Sequence, residues 1–185
     1  MKTINVTLSP EGIKAAKKEL AKYKRELNAK CKTFVKELSK LGITTAREHL
    51  RKRYKPYITF ATEVDPVQNG YRALMVATNT GLIHSQWRTG PNEGDVASAD
   101  VSPLLMAEFG AGIEHDHNPR AHEFGMGAGT FPGQTHAMDP GGWWYMNLEG
   151  EWIHSTGIEP TMPMTEASKA IVQNVNRIAK EVFGK

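Results

Sequence analysis

From residue 13 to residue 41, apolar or small residues recur at 13, 16, 20, 23, 27, 31, 34, 38 and 41. Steps of three and four draw a single stripe along an α-helix of about thirty residues. A helix that long and that one-sided has to lie against another element, so the fold must be built around it. Ser9 offers a side-chain oxygen as N-cap and Pro10 fits the first helical position, which places the start. Gly42 is expected to break the helix. Thr44 or Thr45 then caps a second stretch to about Tyr54, and Pro56 stops it. Before the cap, residues 3–8 alternate as a short strand would.

β-like sequence follows. Residues 57–64 (YITFATEV) and 71–78 (YRALMVAT) are rich in β-branched and aromatic types, and the connection between them contains Asn69-Gly70, a hairpin signal. Residues 79–103 are polar and glycine-containing and read as a mobile loop; residues 104–109 read as a central strand. Residues 110–141 hold seven glycines and three prolines without periodicity, a loop of the kind that is functional or disordered. Residues 143–147 and 151–154 read as two short strands around a Leu148-Glu149-Gly150 turn. Thr161-Met162-Pro163 introduces a final helix with apolar positions at 164, 167, 171, 175, 178, 179 and 182.

The expected fold class is α+β, with a long N-terminal amphipathic helix packed on a small antiparallel β-sheet, a long Gly-rich loop and a C-terminal helix. Residues 1–185 form a single domain: a basic helical arm at 10–54, the sheet at 57–160 with mobile loops near 79–103 and 110–141, and the helix at 161–183.

Charge divides the same way. Residues 10–55 carry fifteen Lys/Arg against five Glu, whereas residues 56–160 carry three Arg against thirteen acids. A basic arm on an acidic body can bind nucleic acid, or pair arm to body between copies, with Lys17, Lys18 and Lys22 as contacts. Otherwise it is a solvated face. No run of about 18 apolar residues exists, so no membrane partner is expected. The opening MKTINVTLSPEG has no apolar stretch of the secretory kind. A single cysteine, Cys31, forbids an internal disulfide, fits a reducing cytosol, and reads as a small buried hydrophobe.

Catalytic and metal signals are weak. Six of seven histidines lie between 84 and 154, and Glu114, His115, Asp116, His117, His122, Glu123 and His136 invite a metal reading. Zinc needs three or four converging ligands, yet the spacing matches no known pattern and no cysteine joins them. No GxSxG occurs, and adjacent His154 and Ser155 point to opposite faces of a strand. The GAG and GMGAG runs lack the Lys-Ser/Thr and the strand-to-helix setting of a phosphate loop. We therefore expect no enzyme activity, no catalytic residues, no cofactor and no resident metal. A metal-dependent hydrolase using His115, His117 and His122 is the alternative, and a nucleic-acid-binding protein using the basic helix is another.

Three of four tryptophans, Trp143, Trp144 and Trp152, fall between turn residues. In a strand, one of Trp143 and Trp144 faces inward and the other outward, which suits an interface. The ordered series Ala107-Glu108-Phe109-Gly110-Ala111-Gly112, Gly129-Thr130-Phe131-Pro132-Gly133-Gln134, Gly142-Trp143-Trp144-Tyr145 and residues 154–164 (HSTGIEPTMPM) resembles the head–tail joining, or minor tail-component, family of long-tailed siphophages. The likeness covers about 60 residues. It implies a structural virion protein at the head–tail junction: a neck, tail-completion or terminator ring, hexameric or dodecameric, assembled in the bacterial cytoplasm. Its implied partners are other copies of itself, the neighbouring connector and tail-tube proteins, and DNA passing through the channel. Trp143, Trp144, Trp152 and Phe131, with Lys17, Lys18 and Lys22, are the expected interface residues.

Overall fold

Ser9 caps the first helix as expected. Its hydroxyl oxygen accepts from the Gly12 N–H at 3.1 Å, and α1 runs Pro10–Glu48 in the computed structural model of the chain. The structure describes residues 7–88, 96–112, 114–115, 118–124, 140–147 and 149–184, so most of the expected strand at 3–8 lies outside it.

Gly42 does not break α1. A β-carbon there would stand 2.7 Å from Ile171 Cδ1 and 3.0 Å from Met75 Sδ, so the absent side chain lets two neighbouring elements close on the helix. One is α3, Pro163–Phe183; the other is the hairpin β1 (Ile58–Val67) and β2 (Gly70–Asn79). Close approach, not chain breakage, is what this glycine supplies. The expected second helix to Tyr54 is likewise corrected: α1 ends at Glu48, and a 3-10 turn, Lys52–Tyr57, leads into β1. Pro56 sits inside that turn.

The hairpin pairs antiparallel from Ile58↔Asn79 to Val67↔Gly70, leaving Gln68 and Asn69 as the turn. It forms a sheet of its own, and a second antiparallel sheet has the order β4 (Ala97–Val101), β3 (Ile83–Arg88), β5 (Trp143–Met146), β6 (Trp152–Ser155), so the expected single sheet is two. Strands β3 and β4 lie where a loop was expected, and β5 and β6 lie where strands were expected. The expected central strand at 104–109 is instead a short helix, α2, Pro103–Phe109. Ser102 caps it by accepting from the Leu105 N–H, with Pro103 at the first position. The run LLMAEF is thus a short helix, half-buried at Leu104, Leu105 and Met106 and buried at Ala107, Glu108 and Phe109, whose start repeats the Ser-Pro signal of α1.

Leu50, Tyr54, Ile58 and Ala107 form the buried cluster that joins these elements, with Phe60, Ile83, Leu104 and Met106 packed on it. Helices α1 and α3 lie side by side, and the Phe34 and Phe183 rings meet at 5.6 Å. Since α3 has 21 residues against 39 for α1, it covers only the C-terminal part of the longer helix. Within the single chain the apolar stripe is therefore covered only in part. Phe34 and Leu38 are half-buried, but Ile13, Leu20, Tyr23 and Leu27 are 43, 59, 42 and 38% exposed. Every residue from 17 to 29 is exposed, a length of about 20 Å at 1.5 Å per residue. Cys31, at the edge of this segment, is half-buried. Among the described residues no helix is long and apolar enough to cross a membrane.

Candidate functional site

The four-stranded sheet has two differently equipped faces. Register sets Trp87 opposite Tyr145 and Trp143 opposite Ser155, so these four share one face. They line a cleft of about 590 Å³ between the sheet and the segment carrying Arg51, Arg53, Tyr54 and Tyr57. The second face carries Arg88, Trp144, Trp152 and His154. There the Arg88 guanidinium lies 4.2 Å from the centre of the Trp152 ring, and the Trp144 and His154 rings are 5.2 Å apart. Alternation therefore separates Trp143 from Trp144 as expected, but all three of Trp143, Trp144 and Trp152 are half-buried.

The cleft combines aromatic walls with a polar rim that includes Arg51, Arg53, His84, Asn147 and Glu149, and its apolar part suits an aliphatic or aromatic side chain. Its cationic rim is already engaged. Arg51 donates to the Glu159 carboxylate at 3.2 Å and to the Glu159 carbonyl at 3.0 Å, and Arg53 lies 4.7 Å from the centre of the Tyr54 ring. Burial raises the Tyr54 phenol above its ordinary range, with Arg53 and Arg51 pulling the other way. The buried Trp87 indole N–H has no hydrogen-bond acceptor among the described residues.

Behind the cleft, the first and last of the four segments that carry the family likeness are clasped together. Ala111 and Ile158 exchange both backbone hydrogen bonds, at 2.9 and 2.7 Å, and the Ala107 carbonyl accepts from the N–H groups of Thr161 and Met162. Gly110 makes this possible. Its φ of 71° is left-handed, and a β-carbon would meet the Ile158 carbonyl oxygen at 2.3 Å. The clasp presents Glu108 to the start of α3, whose own N-cap residue, Met162, has a left-handed backbone and no capping side chain. Glu108 supplies that cap from 56 residues away, accepting from the Met164 N–H at 2.8 Å and the Thr165 N–H at 3.0 Å. The Thr165 hydroxyl and Asn118 Nδ2 also donate to it. A carboxylate at a helix N-terminus gains from the exposed N–H groups and the helix dipole together. Glu108 was legible only as an acid inside an apolar run, a pattern that signals a buried, partnered carboxylate.

The other expected site residues scatter. Lys17, Lys18 and Lys22 stand on the exposed half of α1, on a different element from the tryptophans. Phe131 and His117, with His136 and Asp116, lie outside the described residues. His115 is half-buried with its Cδ2 close to Gly157, while His122 is exposed on a 3-10 turn, Ala121–Phe124. Among the described residues no group of three or more His, Cys, Asp and Glu could hold a metal ion. Within the loop expected at 110–141, Ala111 is bridged, and Asn118 is 2% exposed, donating to Glu108 and Thr165.

No family model, no curated protein and no solved structure matches the chain.

Proposed function

We propose that this chain is a structural assembly subunit, a ring-forming component of a tailed-phage virion at the head–tail junction, in the neck or tail-completion layer. One observation carries the assembly reading: residues 17–29 of α1 are exposed on every side while bearing Leu20, Tyr23 and Leu27. A helix segment of that length is marginal in water without a surface to pack on. The aromatic cleft at Trp143 and Tyr145 offers a second, separate contact, so one subunit can meet neighbours on two sides. Two different contact surfaces on one chain are what a head-to-tail ring requires. Opposite charges on arm and body favour its closure. The phage setting rests on the likeness of residues 107–112, 129–134, 142–145 and 154–164 to the head–tail joining family.

The test is complementation of a phage lacking the chain, with tailed particles counted by electron microscopy. Trp143→Ala and the triple change of Lys17, Lys18 and Lys22 to Glu should each leave separate heads and tails, while the purified variants remain folded. Normal tailed particles in the complete absence of the chain would sink the reading.

A further inference from the structure

The apolar stripe of α1 keeps a seven-residue period, Ile13, Leu20, Leu27, Phe34 and Leu41, from its exposed half into its covered half. In the covered half, Phe34, Leu38, Gly42 and Ala46 follow one another in steps of four and face α3 and the hairpin. In the exposed half, Ile13, Leu20 and Leu27 repeat every seven residues, with Ala16 and Tyr23 three residues after the first two. A seven-residue repeat with internal steps of three and four is the seam of a left-handed coiled coil. The first half of the helix is therefore patterned for another helix like itself.

The charges beside this seam are sorted by sign. Lys17 and Lys24 each follow the second apolar position of a repeat, and Glu19 and Glu26 each precede the first apolar position of the next. In a parallel pair of helices, the residue before the seam on one chain faces the residue five positions later on the other. Glu19 then meets Lys24 of the partner subunit, twice in a symmetric pair. In an antiparallel pair the same flanks would set lysine against lysine and glutamate against glutamate. The charge pattern thus selects both the occupant and its direction.

We infer that residues 13–27 form a parallel coil with the same segment of neighbouring copies of this chain. The inference deepens the assembly reading and rests on it, since a rotation axis running along the arms makes them parallel. Lys18 and Lys22 fall outside the seam and stay free to meet acidic surface elsewhere.

The test uses the full chain in sedimentation equilibrium, with circular dichroism as the check on folding. Leu20→Asp should abolish self-association with the fold intact, because Leu20 is exposed in the single chain. Glu19→Lys should weaken it about tenfold, and adding Lys24→Glu should restore it. Direction is read by oxidative cross-linking in a Cys31→Ser background, where Ile13→Cys alone should give disulfide dimers. Dimers that form only when Ile13→Cys and Leu27→Cys chains are mixed would overturn the parallel arrangement. Unchanged association in Leu20→Asp would overturn the arm as an interface. Arms that pair in solution, alongside normal tailed particles in the chain's absence, would leave this inference standing and remove the assembly reading alone.

Discussion

Glu108 shows how one side chain sets the relation between two distant segments. Glu108 is 8% exposed and its carboxylate accepts hydrogen bonds from Asn118, Met164 and Thr165, so removing it strands several buried donors. Glu108→Ala should therefore cost about 3 kcal/mol in urea unfolding, the range for leaving buried donors unpaired. Glu108→Gln should recover only part, because one carboxylate oxygen becomes a donor facing donors. A cost below about 0.5 kcal/mol for the alanine variant would mean water replaces the carboxylate. Tyr54 makes a pH prediction. Its raised phenol binds its proton more tightly folded than unfolded, so its stabilising contribution is complete below the unfolded value near 10 and is lost as pH rises through the higher folded value. Tyr54→Phe should remove that part of the alkaline loss of stability. At neutral pH the change should cost about 1 kcal/mol, since the hydroxyl meets Met106 Sδ only at 4.0 Å and its other partner, Arg53, is exposed. Parallel stability–pH curves for the two proteins above pH 10 would show that the phenol does not matter.

At the scale of elements, local chemistry was legible where it acted alone. Ser9-Pro10, the hairpin around Asn69 and Gly70, the short strands flanking residues 148–150 and the start of α3 could be read directly, because each depends on a few adjacent residues. Helix α2 was misread as a strand because six apolar-rich residues fit either period. The Ser102-Pro103 signal that distinguishes the two was present. Strands β3 and β4 were hidden by the polar and glycine-rich residues around them, and only their pairing partners make them strands. Gly42 was misread because a glycine that ends a helix and one that admits a neighbour look the same without the neighbour. Of the candidate site, the tryptophans were found and the cleft was not, since its other wall comes from residues 51–57, far away in sequence. The glycine supplies an element-scale prediction. Gly42→Ala should be close to neutral, since a helix favours Ala by about 1 kcal/mol and the crowding atoms are flexible side-chain ends. Gly42→Leu should cost about 3 kcal/mol by forcing α3 and β2 from α1. A leucine variant with the wild-type unfolding midpoint would mean the α1–α3 contact is looser than these distances.

At the scale of the whole molecule, α1 belongs to two systems. Its C-terminal half is part of the buried structure, with Ser39, Gly42 and Ala46 buried against the rest of the chain. Its N-terminal half adds charge and an apolar stripe without covering anything. Leu27→Asp, which would be severely destabilising in a core, should therefore change the stability of the isolated chain by no more than about 0.5 kcal/mol. Deleting residues 1–29 extends the same logic. It removes residues 17–29, which every neighbour in the described body leaves exposed, so the remainder should unfold cooperatively with a midpoint within a few degrees of the parent. Self-association should disappear in the same preparation, because the stripe goes with the arm. Thermal unfolding and sedimentation on one sample read both outcomes together. A truncated chain that no longer unfolds cooperatively would show that the exposed half stabilises the body from a distance, and the division of α1 into a structural half and an assembling half would fail.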